Sequence, residues 1–237
     1  LIHIVLILCT CSGIENKSVL CGGSTFPEDI FNSYTSAYKV VEEYTSIQYA
    51  PTSSVVGLES LEKGDVLFSA SESLVNSEQY SAAPDLQMLP HVAGAIAPIS
   101  TFFGGILLSR DLLAEIFMGK VDFWDDERII ELNKHLTHEF PHEKILIVYR
   151  AEATGETEAF SRALSAFSAD WASTYGISST WPMPLQQRAD KFIPAESSEA
   201  IFSLVTLNRF SIGYLGFPFL RELRSESFHI HLINKSG

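Results

Sequence analysis

Hydroxyl side chains gather at three places in this chain, each directly after a short apolar run, and an arginine stands at the third. Val19-Leu20-Cys21 runs into GGSTFPEDIFNSY, Ile47-Gln48-Tyr49 into APTSSVVGLESL, and Ile145-Leu146-Ile147-Val148-Tyr149 into RAEATGETEAFSRAL. Each reads as a strand that breaks into the first turn of a helix. Such a turn carries N–H groups without intrahelical partners and the positive end of the helix dipole. Hydroxyls add donors there, and an anion is the natural guest. One such unit is ordinary capping. Three, with Arg150 at the third, point to an anion held between several helix starts.

The elements that must position these clusters alternate strand and helix, without repeats or low-complexity tracts. Phe31, Tyr34, Ala37, Tyr38 and Val41 recur at helical spacing after the first cluster. Asp65 to Ala70 predicts a short strand, His91 to Ile99 a long apolar extended stretch, and Ser109 to Phe117 and Asp126 to Asn133 two helices. Ala159, Phe160, Ala163, Leu164 and Phe167 mark the buried face of the helix after the third cluster. Ser197 to Leu207 predicts a further helix and Phe210 to Phe217 a strand. Short strands alternating with helices indicate an α/β fold with a mostly parallel sheet. In such sheets ligands bind beyond the carboxyl ends of strands, where the three clusters fall.

A chain of 237 residues, 46% hydrophobic and 19% charged, fits one large or two small domains. Its net charge of −13 argues against nucleic acid or an anionic membrane surface as partner. Ile2 to Cys11 is almost wholly apolar, too short to span a bilayer, and followed by Ser12-Gly13. Residues 1–13 therefore read as a secretory signal, which predicts an extracellular, periplasmic or cell-surface location. Leu8-Cys9-Thr10-Cys11 loosely resembles a lipoprotein box, although Thr before the cysteine is a poor match, so a lipid anchor is weakly supported. Without that segment Cys21 stands alone, so no internal disulfide is expected, and it reads as a small buried hydrophobe.

Other chemistry is thin. His135, His138 and His142 are spaced by three and four, but Pro141 interrupts them and nothing completes a metal site. His229 and His231 alternate without partners. No G-x-S-x-G elbow, Walker loop, H-E-x-x-H or glycine-rich dinucleotide turn occurs, so neither a cofactor nor an enzyme is expected. Trp124, Trp171 and Trp181 read as core packing.

Taken in order, GGSTFP, LEKGDVLFSASES, MLPHVAGAIAPI, LLAEIFMGKVDFWDDERIIELN, ILIVYRAEATGETEAF and FSIGYLGF resemble the phosphate-binding proteins of ABC phosphate importers. IFMGKVDFWDDERIIELN is the most distinctive of these segments, and the resemblance runs from about Val19 to Phe217. It implies a two-lobed type II periplasmic-binding-protein fold with mostly parallel sheets. Residues 19–93 plus 211–237 would form lobe 1, incomplete at its C-terminal end, and 94–210 lobe 2. The function implied is a secreted or surface-tethered solute-binding protein for inorganic phosphate or a related oxyanion, with an ABC permease as partner. The alternative is a receptor ectodomain, relaying closure to a downstream segment, or a degenerate interaction module of the same fold.

Carried over by position, the resemblance implies that phosphate meets Thr25 and Phe26 in the first loop, Ser54 at the second helix start, and Arg150, Thr154 and Gly155 at the third. Capping alone would explain some of these: Thr25 with Glu28 spells a capping box, Ser54 and Thr154 are ordinary caps, and Arg150 has Glu152 beside it. Two positions depart from the family. Glu72 stands where an aspartate accepts the proton of phosphate and thereby excludes sulfate. Glu156 stands where a threonine hydroxyl meets the ligand. The expectation for Glu156 is a partly solvated carboxylate at the cleft edge that weakens the anion site by roughly 2–4 kcal/mol without abolishing it.

Overall fold

In a computed structural model of the chain, residues 17–101, 106–136, 140–216 and 231–233 are described here. The predicted signal segment with Cys9 and Cys11, His138, His229 and Phe217 lie outside them. The order of elements is β1 (Lys17–Gly23), α1 (Glu28–Val41), β2 (Thr45–Pro51), α2 (Ser54–Lys63), β3 (Ser69–Ala70), α3 (Ser77–Ala82), β4 (Ile96–Ser100), β5 (Leu107–Ser109), α4 (Arg110–Phe117), α5 (Glu127–Leu132), β6 (Leu146–Arg150), α6 (Gly155–Phe167), α7 (Ala169–Thr174), α8 (Met183–Gln186), β7 (Phe192–Ala195), α9 (Ser198–Leu207), β8 (Ser211–Gly216) and β9 (His231–Ile233). The alternation read from the sequence is therefore present.

The first sheet has the order β2-β1-β3, all parallel, with Gly23 opposite both Pro51 and Ala70. Its strands converge because β1 ends in Gly22-Gly23. Gly23 has φ of 125°, and a Cβ there would stand 2.2 Å from the Ala70 carbonyl oxygen. The predicted strand from Asp65 shrinks to β3, the chain bending through Asp65 to Phe68 although Leu67 N–H still reaches the Leu20 carbonyl. Cys21 is fully buried, in keeping with its reading as a small buried hydrophobe. The helical spacing of α1 is real, but its face is not buried: Phe31 stacks on Tyr49 and His91, while Val41 is 79% exposed.

The second sheet, β4-β8-β6-β7, has β6 parallel to both neighbours and β4 antiparallel to β8. On one face Phe117, Trp124, Trp171, Trp181 and Phe160 pack against Ile147, Tyr149, Ile212 and Tyr214; on the other Ile201 and Val205 of α9 cover Val148 and Leu215. Each fully buried side chain of this size contributes about 1.5–3 kcal/mol, so the fold is held mainly here. The three tryptophans are core, as expected.

Strand pairing corrects one expectation. The chain does not return to the first sheet at Ser211: β8 lies inside the second sheet, and β9 pairs with β5. In the second sheet β8 pairs with β4 on one side and β6 on the other, and Ile212, Tyr214 and Leu215 are buried on both its faces. Among the described residues no helix is long and apolar enough to cross a membrane.

Candidate functional site

Four helix starts meet where the ends of β1, β2, β6 and β7 lead into α1, α2, α6 and α9. Two of them use the same device. Ser53 caps α2 by accepting from Val56 N–H, and Ser197 caps α9 by accepting from Ala200 N–H. The next residue in each case, Ser54 or Ser198, is buried and spends its hydroxyl on a glutamate: Ser54 Oγ donates to Glu72 Oε2 at 2.9 Å, and Ser198 Oγ to Glu156 Oε2 at 3.0 Å. Ser54 Oγ also accepts from Glu72 N–H at 3.1 Å, closing a ring.

Arg150 is the last residue of β6 and 7% exposed. Its Nη1 donates to Ser198 Oγ at 3.1 Å and lies 3.6 Å from Glu156 Oε2, while Nη2 pairs with Glu152. Its Nε–H is buried without an acceptor. Tyr214 OH accepts from Arg150 N–H at 3.3 Å and meets Thr157 Oγ1 at 2.7 Å, which fixes the strand end against the helix start.

Gly155 brings the two sheets together. A Cβ there would lie 2.4 Å from Glu72 Oε2 and 2.5 Å from Ser54 Oγ, so only glycine lets the start of α6 approach them this closely. Glu156 follows it. Contrary to the expected solvated position at the cleft edge, this side chain is 5% exposed. Besides Ser198 and Arg150, its Oε1 accepts from Gly216 N–H at 3.2 Å. These donors outweigh the preference of a first-turn acid for solvent and draw the carboxylate inward.

Thr154 caps its helix as expected, whereas Thr25 does not. Thr154 is the cap of α6: its hydroxyl accepts from Thr157 N–H and donates to Thr157 Oγ1, so it is engaged within the helix start. Thr25 lines the pocket with an exposed side chain and does not cap, because Pro27 holds the cap position of α1 and no side-chain cap forms; the T-x-x-E capping box is absent. Phe26 N–H donates to Ser24 Oγ at 3.0 Å, and its ring packs over Gly94. The structure thus brings Ser54, Glu72, Arg150, Gly155 and Glu156 together. Ser198, Tyr214 and Gly216 are members that sequence reasoning missed; the Ser197-Ser198 pair, matching Ser53-Ser54, was the available signal for the first.

A pocket of about 420 Å³ opens onto Arg150, Thr25, Phe26 and Ser198. Its rim carries Glu28, Asp29, Glu152, Glu196 and Glu199, so that among the described lining residues Arg150 is the single cation. A cavity of about 500 Å³ between α4 and α5 is a surface groove containing the Arg128–Glu115 ion pair and lies away from this site. Burial pushes the Glu72 carboxyl above the usual carboxylate range, against the lowering effect of hydrogen bonds from Ser24 and Ser54. Burial does the same to Glu156, against Ser198, Arg150 and Gly216 N–H. Among the described residues no group of acidic, histidine or cysteine side chains could hold a metal ion; His142 instead pairs with Asp125.

Strand ends and helix starts of an α/β fold converge on a buried arginine, an arrangement with the donors an anion would need. A family model described as a PBP superfamily domain matches residues 12–227, and the chain belongs to that superfamily, with the type II periplasmic-binding-protein fold. It is 28% identical over 202 residues to the phosphate-binding protein PstS of Methanocaldococcus jannaschii, an alignment covering 81% of this chain and 51% of that protein. The chain thus spans about half the length of that curated relative. It is 26% identical over 254 residues to a protein of Acanthamoeba polyphaga mimivirus named as a serine/threonine-protein kinase/receptor, covering 99% of this chain and 14% of that protein. The fold resembles the crystal structure of a phosphate ABC transporter substrate-binding protein from Clostridium perfringens with bound phosphate, with a TM-score of 0.68, 20% identity, and coverage of 91% of this chain and 76% of that one.

Proposed function

We propose that this chain is a solute-binding protein for inorganic phosphate, working outside the cell membrane and delivering the anion to an ABC permease. The observation that carries it is Arg150: a buried guanidinium with an unpaired Nε–H, standing between the starts of α2, α6 and α9. The unit built on the first sheet supplies Thr25, Phe26, Ser54 and Glu72. The unit built on the second supplies Arg150, Gly155 and Glu156 and the helix start that Thr154 caps, with the anion clamped between them. Charge-assisted hydrogen bonds from such donors contribute about 1.5–3 kcal/mol each, enough together to hold an oxyanion against the acidic rim. The name of the Methanocaldococcus jannaschii relative supports this reading.

Binding rather than catalysis is the role. The buried serines Ser54 and Ser198 each face a carboxylate rather than an imidazole, an arrangement that positions donors and does not generate a nucleophile. Titration calorimetry against phosphate, arsenate and sulfate tests the proposal. Phosphate and arsenate should bind and sulfate should not, and Arg150→Ala should remove binding. Equal affinities for phosphate and sulfate, or an unaffected Arg150→Ala variant, contradict it.

One observation favours a second reading, a receptor ectodomain of the same fold. The mimivirus relative aligns with 99% of this chain yet only 14% of its own length, so the whole fold recurs there as a small part of a longer protein named as a kinase and receptor. A gene that encodes a membrane span and a kinase-like segment after residue 237 would select this reading; a gene beside those of an ABC permease would select transport.

A further inference from the structure

Glu156 places a carboxylate on the donors an oxyanion would use. Its two oxygens take Ser198 Oγ, Gly216 N–H and one edge of the Arg150 guanidinium, which come from α9, β8 and β6. Arg150 is bonded to Glu152 as well, and Glu72 stands directly against Gly155, the residue before Glu156. One guanidinium therefore serves both Glu152 and Glu156, with Glu72 close enough to feel its charge. The charged and titratable groups that bear on Glu156 are Arg150 from β6, Glu72 from the loop after β3, Glu199 from α9 and Tyr214 from β8. A dianion added to this set would face the buried Glu156 carboxylate and the half-buried Glu72 carboxylate, while the Arg150 guanidinium is already shared between Glu152 and Glu156. Desolvated like charges of that kind are strongly disfavoured unless a proton intervenes.

We propose that Glu156 couples phosphate binding to one proton beyond the one that Glu72 accepts, so that the site takes phosphate in its singly charged, doubly protonated form. This rests on the phosphate reading above. Dihydrogen phosphate would give one O–H to Glu72 and the other to Glu156, while its two unprotonated oxygens face the Arg150 Nε–H and the first-turn N–H groups of α6. The dianion bound to a protonated Glu156 is the same state by proton count. Burial acts in the same direction, pushing both carboxyls toward their protonated forms. Above the pH at which free phosphate becomes mainly the dianion, each binding event must then recruit a proton, and affinity falls by about tenfold per pH unit.

Titration calorimetry of phosphate into the chain from about pH 5.5 to 8.5, in buffers of different ionisation enthalpy, counts that proton. Wild type should lose about tenfold in affinity per pH unit above neutrality and take up close to one proton per phosphate at the alkaline end. Glu156→Gln should show a flat profile there, with about one proton fewer taken up. Should Glu156→Gln fail to fold, the buffer dependence of wild type alone decides. Wild-type binding without proton uptake at alkaline pH, or the same slope in both proteins, overturns the inference while leaving phosphate binding in place. No heat from phosphate with either protein at any pH overturns the phosphate reading itself.

Discussion

Ser54 and Glu72 hold each other through both the serine hydroxyl and the glutamate N–H, so the Glu72 carboxylate is positioned before a ligand meets it. An acceptor held in this way rewards an oxyanion that carries a proton and rejects one that does not. Glu72→Gln replaces an acceptor by a donor and should narrow the preference for phosphate over sulfate by about tenfold or more, measured by competition calorimetry. An unchanged preference would remove Glu72 from the site. Arg150 and Ser54 stood out in the sequence as members of the clusters at strand ends, whereas Glu72 and Gly155 entered only through the resemblance to the family. The inward turn of Glu156 was not legible, since an acid in a first turn ordinarily faces water. What draws it in are Ser198 and Gly216, 42 and 60 residues away in sequence. Thr154 was legible as the cap of α6, but its donation to Thr157 Oγ1 was not.

At the scale of elements, the start of α6 decides how closely the two sheets approach. Gly155→Ala introduces a Cβ 2.4 Å from Glu72 Oε2, which forces the helix start away from Ser54 and Glu72. Displacement of about an ångström should weaken phosphate binding by about a hundredfold while leaving the thermal midpoint close to wild type. Thr154→Ala separates the cap from the ligand: loss of the bond to Thr157 N–H should cost about 1 kcal/mol of stability in a denaturant melt, with a smaller effect on affinity than Gly155→Ala. A Thr154→Ala variant that keeps its stability and loses phosphate would reverse these roles. Helices α4 and α5 were readable almost to the residue because Ser109 and Asp126 are true caps. The path of β8 was not readable, because an apolar strand alone does not say which sheet it joins.

Across the whole molecule the core sits around the second sheet, while the first sheet leaves Leu67 at 71% and Leu89 at 77% exposed. The buried Glu156 and the half-buried Glu72 join these regions, and both bear on the pH dependence. Both have folded values raised above the usual carboxylate range, so the folded chain keeps protons that the unfolded chain releases. Their contribution to stability is greatest in mild acid and is lost as pH rises from the usual carboxylate range through the raised values. The lowered carboxyls of Asp122 and Asp126 act in the opposite sense, at lower pH. The ligand-free thermal midpoint should therefore fall as pH rises through the window just above the usual carboxylate range, and fall less in Glu156→Gln. A midpoint that rises over that window contradicts the buried placement of Glu156. The most direct measurement of the central claim is a crystal structure of the chain grown with phosphate in mild acid. It should show one anion against the Arg150 Nε–H and the first turn of α6, with oxygens facing Glu72 and Glu156. Phosphate bound elsewhere, or none beside Arg150 at saturating concentration, would contradict it.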